Sequence, residues 1–421
     1  MKTYKLKDLS NGISIFVDPV DTIDMVSVVV GVNVGSRFES KEEEGLAHFV
    51  EHMMFDGTTN RTAEEIFKQI NSVGGQINAY TSKSMTMYYA KVRSEHFELA
   101  LDILSDMIKN STFPEEEIEK EKGVIIEEIM MSNSNDRRMA SDLLNRSVYR
   151  DHPLGHSILG TEENIESVTR DKIKSFVDKY YTGPNIVVVA SGNLDNVLRT
   201  QALIEQYFID IPRGEGWIDP KRVYEYDMDL LYERVTWEYN DTPQAQLMIF
   251  FDAKSSALDT KKMTAGQLLG LYLAGTMNSP LTKEIREERG LAYSVLAHTT
   301  YGIDHGSFHI DVATQIKNVN DVIDIIKEEL TKIVRNGLDE EIFNIAVNMY
   351  RSYAMENFET IENRAHHFAN NLIVYTEPYY YDEIRKEIDS ITIEYMNDLA
   401  KEIFRRYNTH TVVYGRVPGD A

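Results

Sequence analysis

The chain has 421 residues, room for one to three domains, and is 42% hydrophobic and 27% charged, ordinary for a globular protein. Its net charge of −24 argues against a nucleic-acid partner, and no apolar run approaches the ~18 residues of a membrane span. Cysteine is absent, so no disulfide staples the fold. With no apolar leader in residues 1–7, cytoplasmic residence is the expectation.

In chain order, residues 3–18 predict a hairpin around Asn11-Gly12, and Met25 to Val34 is a β-branched run that predicts a buried strand. A polar stretch, Ser36 to Glu44, precedes a short helix beginning near Gly45. Thr62 is a capping candidate for the next helix, which Gly74-Gly75 ends. Residues 76–82 and 86–92 predict two antiparallel strands. Helices follow over 95–110, from Phe113-Pro114 through Ile129, and over 136–150. After a loop-like 151–168 come a helix at 169–181, a strand at 186–191 and a helix at 194–208.

The short helix carries His48-Phe49-Val50-Glu51-His52, the reverse of the His-Glu-x-x-His order. Residues four apart on a helix share a face, so His48 and His52 can share one metal ion. Glu51 borders that face and can hold a water beside the metal. Three fixed positions alone do not separate a metal site from a helix with two incidental histidines. In the later helix, Glu121 and Glu128 are two turns apart, on a face with Val124 and Ile125 that should be buried. A carboxylate there needs a partner, and a metal ion is one. Spacing alone leaves Glu127 and Glu128 open. His152 and His156 sit in a Pro/Gly loop, a poor scaffold for ligands. His96, His298, His305, His309, His366, His367 and His410 show no ligand spacing.

The second half repeats the first. Glu116-Glu117-Ile118 matches Glu340-Glu341-Ile342. At nearly the same offset, Tyr180-Tyr181 before a strand matches Arg406-Tyr407 before another. The expected organisation is α+β: two homologous domains, 1–212 and 232–421, each an antiparallel-rich sheet with helices on one side, joined by a linker at 213–231. The second copy lacks the His-x-x-Glu-His, so one half alone can hold the metal.

These motifs resemble those of the pitrilysin, insulin-degrading enzyme and mitochondrial processing peptidase family of zinc metallopeptidases, in its short two-domain bacterial form. The resemblance spans nearly the whole chain. It implies a third zinc ligand at the family's spacing beyond the second histidine, which selects Glu128, with Glu121 orienting a ligand from outside the metal's own shell. It implies that Gly74 to Thr81 is an edge strand on which a peptide adds as a further strand near Asn78 and Ala79. It also matches Arg286 and Tyr293, in Arg286-Glu287-Glu288-Arg289-Gly290-Leu291-Ala292-Tyr293, to residues that reach the scissile bond from the second domain.

The function this implies is a zinc endopeptidase, with one Zn²⁺ per chain, acting on extended, unstructured peptides. Glu51 would serve as the general base and then return the proton to the leaving amine. Tyr293 would donate to the oxyanion, and Arg286 would bind a substrate carbonyl. Two such chains, as a homodimer, would close into one clamshell chamber. The rival reading is a non-catalytic structural or partner subunit; such proteins have usually lost motif residues, and here every position is filled.

Overall fold

The structure, a computed structural model, describes residues 5–218, 234–242, 244–404 and 409–416. Most of the expected linker at 213–231 lies outside the described residues. Two compact units emerge, each built on one sheet.

In the first unit the strands are β1 (Leu6–Asp8), β2 (Ser14–Pro19), β3 (Met25–Val32), β4 (Gln76–Thr81), β5 (Thr86–Arg93) and β6 (Ile186–Gly192). They lie in the order β1-β2-β6-β3-β5-β4, so among the described residues β4 pairs with β5 alone and forms the rim. All contacts are antiparallel except β2 with β6. One face of β3 sends Val26, Val28, Val30 and Val32 into a core shared with Leu101 and Leu104 of α3 (Phe97–Asn110). That core also takes Phe49, Val50 and Met53 of α1 (Leu46–Met53), Ile66 and Ile70 of α2 (Ala63–Ser72), and Ile118 and Ile125 of α4 (Glu115–Asn133).

The other face of β3 is buried too. There the helix Ile361–Tyr375 packs across β3 and β6. The approach is close: a Cβ at Gly31 would stand 3.0 Å from Cδ1 of Ile373 and 2.8 Å from Sδ of Met87. Phe16 and Phe368 meet with ring centroids 4.7 Å apart. This explains why β3 and β6 read as mostly apolar runs without regular polar alternation. It also corrects the expectation of helices on one side only: both faces of this sheet are covered, because a helix from the second half of the sequence supplies the second layer.

The exchange is reciprocal. The second sheet comprises β7 (Arg234–Glu238), β8 (Ala245–Asp252), β9 (Ala292–Tyr301), β10 (Gly306–Thr314) and β11 (Thr409–Tyr414), in the order β7-β11-β8-β10-β9. Against it packs α5 (Asp136–Tyr149), whose Ala140, Leu144 and Val148 join Met248, Phe250 and Val412. Asp136 and Ile361 begin their helices at the offset that relates the two halves of the sequence. The two exchanged helices are therefore equivalent members of the duplication. The described residues of the first unit lie within Met1–Met131, His156–Tyr224 and Glu356–Tyr379, so neither unit is one continuous stretch of sequence.

A buried ion pair anchors the incoming helix. Asp18 on β2 is 1% exposed and accepts from Nε and Nη2 of Arg364 at 2.6 and 2.9 Å, and from Ser191 Oγ at 2.9 Å. Removing one partner of such a pair strands the other and costs ~3–5 kcal/mol. Urea unfolding should therefore show Asp18→Ala destabilised by that amount. The exposed pair Lys401–Asp398, 3.2 Å apart, is the control: Asp398→Ala should change stability by ~0.5 kcal/mol or less. No helix among the described residues is long and apolar enough to cross a membrane.

Candidate functional site

α1 is short and begins without a side-chain cap of its own. Its N-cap, Gly45, sits at φ +93°, where a Cβ would meet the Leu159 carbonyl oxygen at 2.6 Å. Glu39 supplies the missing cap from the polar stretch before the helix. Its carboxylate, fully buried, accepts from the amides of Gly45 at 3.0 Å and Ala47 at 2.6 Å. Burial pushes the Glu39 carboxyl up to about 8, against the pull of those amides and of Lys83.

Between pH 4.5 and 8 the folded chain keeps a proton on Glu39 that the unfolded chain has released, so stability falls as pH rises. Each pH unit in that window is worth ~1.4 kcal/mol from this group. Unfolding measured at pH 5.5 and 7.5 should show a drop of ~2–3 kcal/mol attributable to Glu39, and Glu39→Gln should remove that slope.

With α1 fixed, His48 and His52 project from one face with ring centroids 4.6 Å apart. α4 brings Glu121 and Glu128 to them. Glu128 Oε2 lies 3.7 Å from His48 Nε2 and 4.0 Å from His52 Nε2, and one donor atom from each of the three lies within 4.8 Å of the others. Glu127, the alternative left open by spacing, is exposed. Glu121 Oε2 stands 3.1 Å from His52 Nδ1, the other nitrogen of that ring. Val124 departs from expectation: it is 38% exposed while Ile125 is fully buried. Val124 lies about 100° round the helix from Ile125, off the side that Ile118 and Ile125 bury, and the Glu128 side chain is itself 40% exposed.

The donor set fits zinc. Two imidazole nitrogens and a carboxylate oxygen are its usual ligands, and a tetrahedral site with ~2.1 Å bonds spaces donors about 3.4 Å apart. Small side-chain movements bring 3.7 and 4.0 Å to that value. Burial opposes charge on His52, yet the Glu121 bond and the Glu128, Glu121 and Glu51 carboxylates together lift its pKa above the usual value. Surroundings this negative favour a cation.

Glu51 lies beside the cluster, 8% exposed. Burial raises its pKa, offset by a hydrogen bond from Thr81 Oγ1 at 2.6 Å and by His52, with Glu128 adding to the rise. Thr81 ends β4, the rim strand. Asn78 on the same strand is exposed, and its Oδ1 accepts from the Ala79 amide at 2.8 Å.

Arg286 and Tyr293 belong to the second unit. Arg286 lies in a π-helical turn, Lys283–Glu288, of the widened kind often found at functional sites. Its guanidinium stands 5.1 Å from the centroid of the Tyr293 ring, which is 83% exposed. Both line a cavity of about 400 Å³ with Met277 and Leu296.

The histidines set aside from the sequence have structural partners. His152 Nδ1 accepts from the Leu154 amide at 3.1 Å, and His156 Nδ1 lies 3.3 Å from Glu44. His309 bonds Ser307 at 2.7 Å and stacks on His298. Sequence reasoning misses Glu39 and Thr81. The one signal for Glu39 is a helix starting at glycine with no capping side chain of its own.

Comparison with known proteins agrees with this architecture. Residues 18–162 match the family described as insulinase (peptidase family M16), and residues 167–350 the peptidase M16 inactive domain. A zinc protease of Bacillus subtilis, YmxG, itself uncharacterized, is 31% identical over 395 residues, 94% of each chain. An uncharacterized zinc protease of Rickettsia felis is 31% identical over 414 residues, 98% of each. Among solved structures, a protease from Helicobacter pylori superposes with a TM-score of 0.89 at 21% identity, over 97% of this chain and 98% of the other. A peptidase M16 inactive domain protein from Pseudomonas fluorescens gives 0.88 at 18% identity, over 98% and 97%. Two matched domains covering most of the sequence, and relatives matched along nearly their whole length, establish that the chain belongs to the insulinase family of peptidases, M16.

Proposed function

We propose that the protein is a zinc endopeptidase that hydrolyses extended, unstructured peptides. The observation that carries the reading is the convergence of His48, His52 and Glu128 from two helices, with Glu51 beside them. His48, His52 and Glu128 hold one Zn²⁺ per chain, and Glu121 fixes the His52 ring through Nδ1. When bound, zinc supplies Lewis acidity, bringing water within reach of ionisation near neutral pH and polarising a carbonyl.

The chain does the rest. Glu51 accepts the proton of the attacking water on its carboxylate and delivers it to the leaving amine. The rim strand β4, paired on one side alone among the described residues, offers a strand edge around Asn78 and Ala79, which favours main-chain pairing and so little sequence preference. The Ala79 amide must exchange its bond to Asn78 Oδ1 for one to substrate. Arg286 takes a substrate carbonyl and Tyr293 the oxyanion, roles supported by the motif and by the exposure of the Tyr293 ring. A homodimer closing into one chamber completes the proposal.

Metal analysis should find about one zinc per chain, and digestion of mixed peptides should show cleavage of unstructured members. Metal content near zero after purification with added zinc would remove the reading. Sedimentation that finds fully active monomers would remove the chamber alone.

A further inference from the structure

We propose that Thr81 is a positioning residue for Glu51, linking occupation of the β4 edge to the aim of the carboxylate. The inference rests on the reading of Glu51 as the base. Thr86, the first residue of β5, is fully buried and donates to the Val34 carbonyl at 2.9 Å. Thr81 is paired with Thr86 across the ladder, and their Oγ1 atoms are 3.4 Å apart. A hydroxyl has one proton to give. Thr86 spends its proton on Val34, so it can serve Thr81 only as an acceptor. Thr81 has a choice, and the geometry shows it: Glu51 at 2.6 Å against Thr86 at 3.4 Å. The β-branched side chain leaves Thr81 few rotamers, so its hydroxyl direction follows the backbone of β4.

That backbone lies at one edge of the sheet. Ile77, Ala79 and Thr81 alternate towards α1, while Gln76, Asn78 and Tyr80 are exposed. Among the described residues β4 is held by one ladder, to β5. A peptide strand added at the rim gives it a second ladder. The strand that receives substrate is thus also the strand that holds the Glu51 carboxylate. An empty edge lets both drift; a docked peptide steadies both.

The test uses the full-length zinc protein and one unstructured peptide substrate. Thr81→Val keeps shape and removes the donor; Thr81→Ser keeps the donor. We expect Thr81→Val to retain one zinc per chain, to keep KM within about twofold, and to lose about 10- to 100-fold in kcat, the loss of one hydrogen bond to a charged group. Thr81→Ser should restore kcat to within about threefold of the parent, since the hydroxyl is what matters. A crystal structure of metal-free Thr81→Val should show the Glu51 carboxylate turned from its parent position, a result independent of turnover. Unchanged kcat in Thr81→Val, a rise in KM alone, or equal damage in both variants would overturn the proposal. Glu51→Gln separates the two claims: if it cleaves normally the base assignment fails, whereas if it is inactive and Thr81→Val is fully active, only the role of Thr81 fails.

Discussion

Glu51→Gln should leave the protein folded and loaded with zinc while stopping peptide cleavage. The change keeps the shape of the side chain and its acceptor for Thr81, and it removes the group assigned to take the proton. Glu51 is not among the three donors that converge, so metal content should stay at about one per chain. A positioned acid or base contributes about 10²–10⁴-fold, and the two transfers assigned to Glu51 place the expected loss at the upper end. Assays of turnover and of zinc by atomic absorption on the same preparation check both halves. Turnover within about tenfold of the parent would mean that some other group serves as base. Loss of zinc along with turnover would mean that Glu51 is a ligand.

The second large effect concerns the metal itself. Chelation should abolish cleavage, and added Zn²⁺ should restore it. Variants should rank by distance from the ion. His48→Ala, His52→Ala and Glu128→Ala each delete a donor and should leave little zinc at micromolar protein. Glu121→Gln alters only the partner of His52 Nδ1, 3.1 Å away, and should weaken zinc about 10- to 100-fold. Competition with a chelator of known affinity gives the order. A Glu128→Ala protein that binds zinc as tightly as the parent would dismantle the site, since Glu128 is the donor that α4 adds to the two histidines.

How much of this can be read beforehand depends on how local each contact is. His48 and His52 are legible because helical spacing alone puts them together. The strand at Met25 and the apolar stripe of α3 are legible for the same reason. Glu128 is harder. Neighbours on a helix differ by little more than a quarter of a turn, so periodicity leaves Glu127 open until a family spacing chooses between them. Glu39 and Thr81 are out of reach, because what they do is decided by pairings across the fold: a loop carboxylate meeting amides six and eight residues on, and a strand end meeting a helix. Val124 defeats the pattern because the core takes only the side of the helix that carries Ile118 and Ile125, and Val124 lies about 100° round from it. The exchange of α5 and Ile361–Tyr375 has no sequence signature at all. An amphipathic pattern states that a helix needs an apolar partner, never which one.

That exchange bears on how the molecule is made. During synthesis the first sheet is complete in sequence once Gly192 has left the ribosome, but one of its apolar faces waits for Ile361–Tyr375. The whole stretch from Asn193 to Thr360 must be translated in between, many seconds at ordinary elongation rates of ~5–20 residues per second. A nascent chain in that interval exposes Phe16, Val29 and the outer side of β6, surfaces that chaperones bind and that aggregate when left bare. A gene cut between the repeats would yield two fragments, each missing a layer and carrying the one the other lacks.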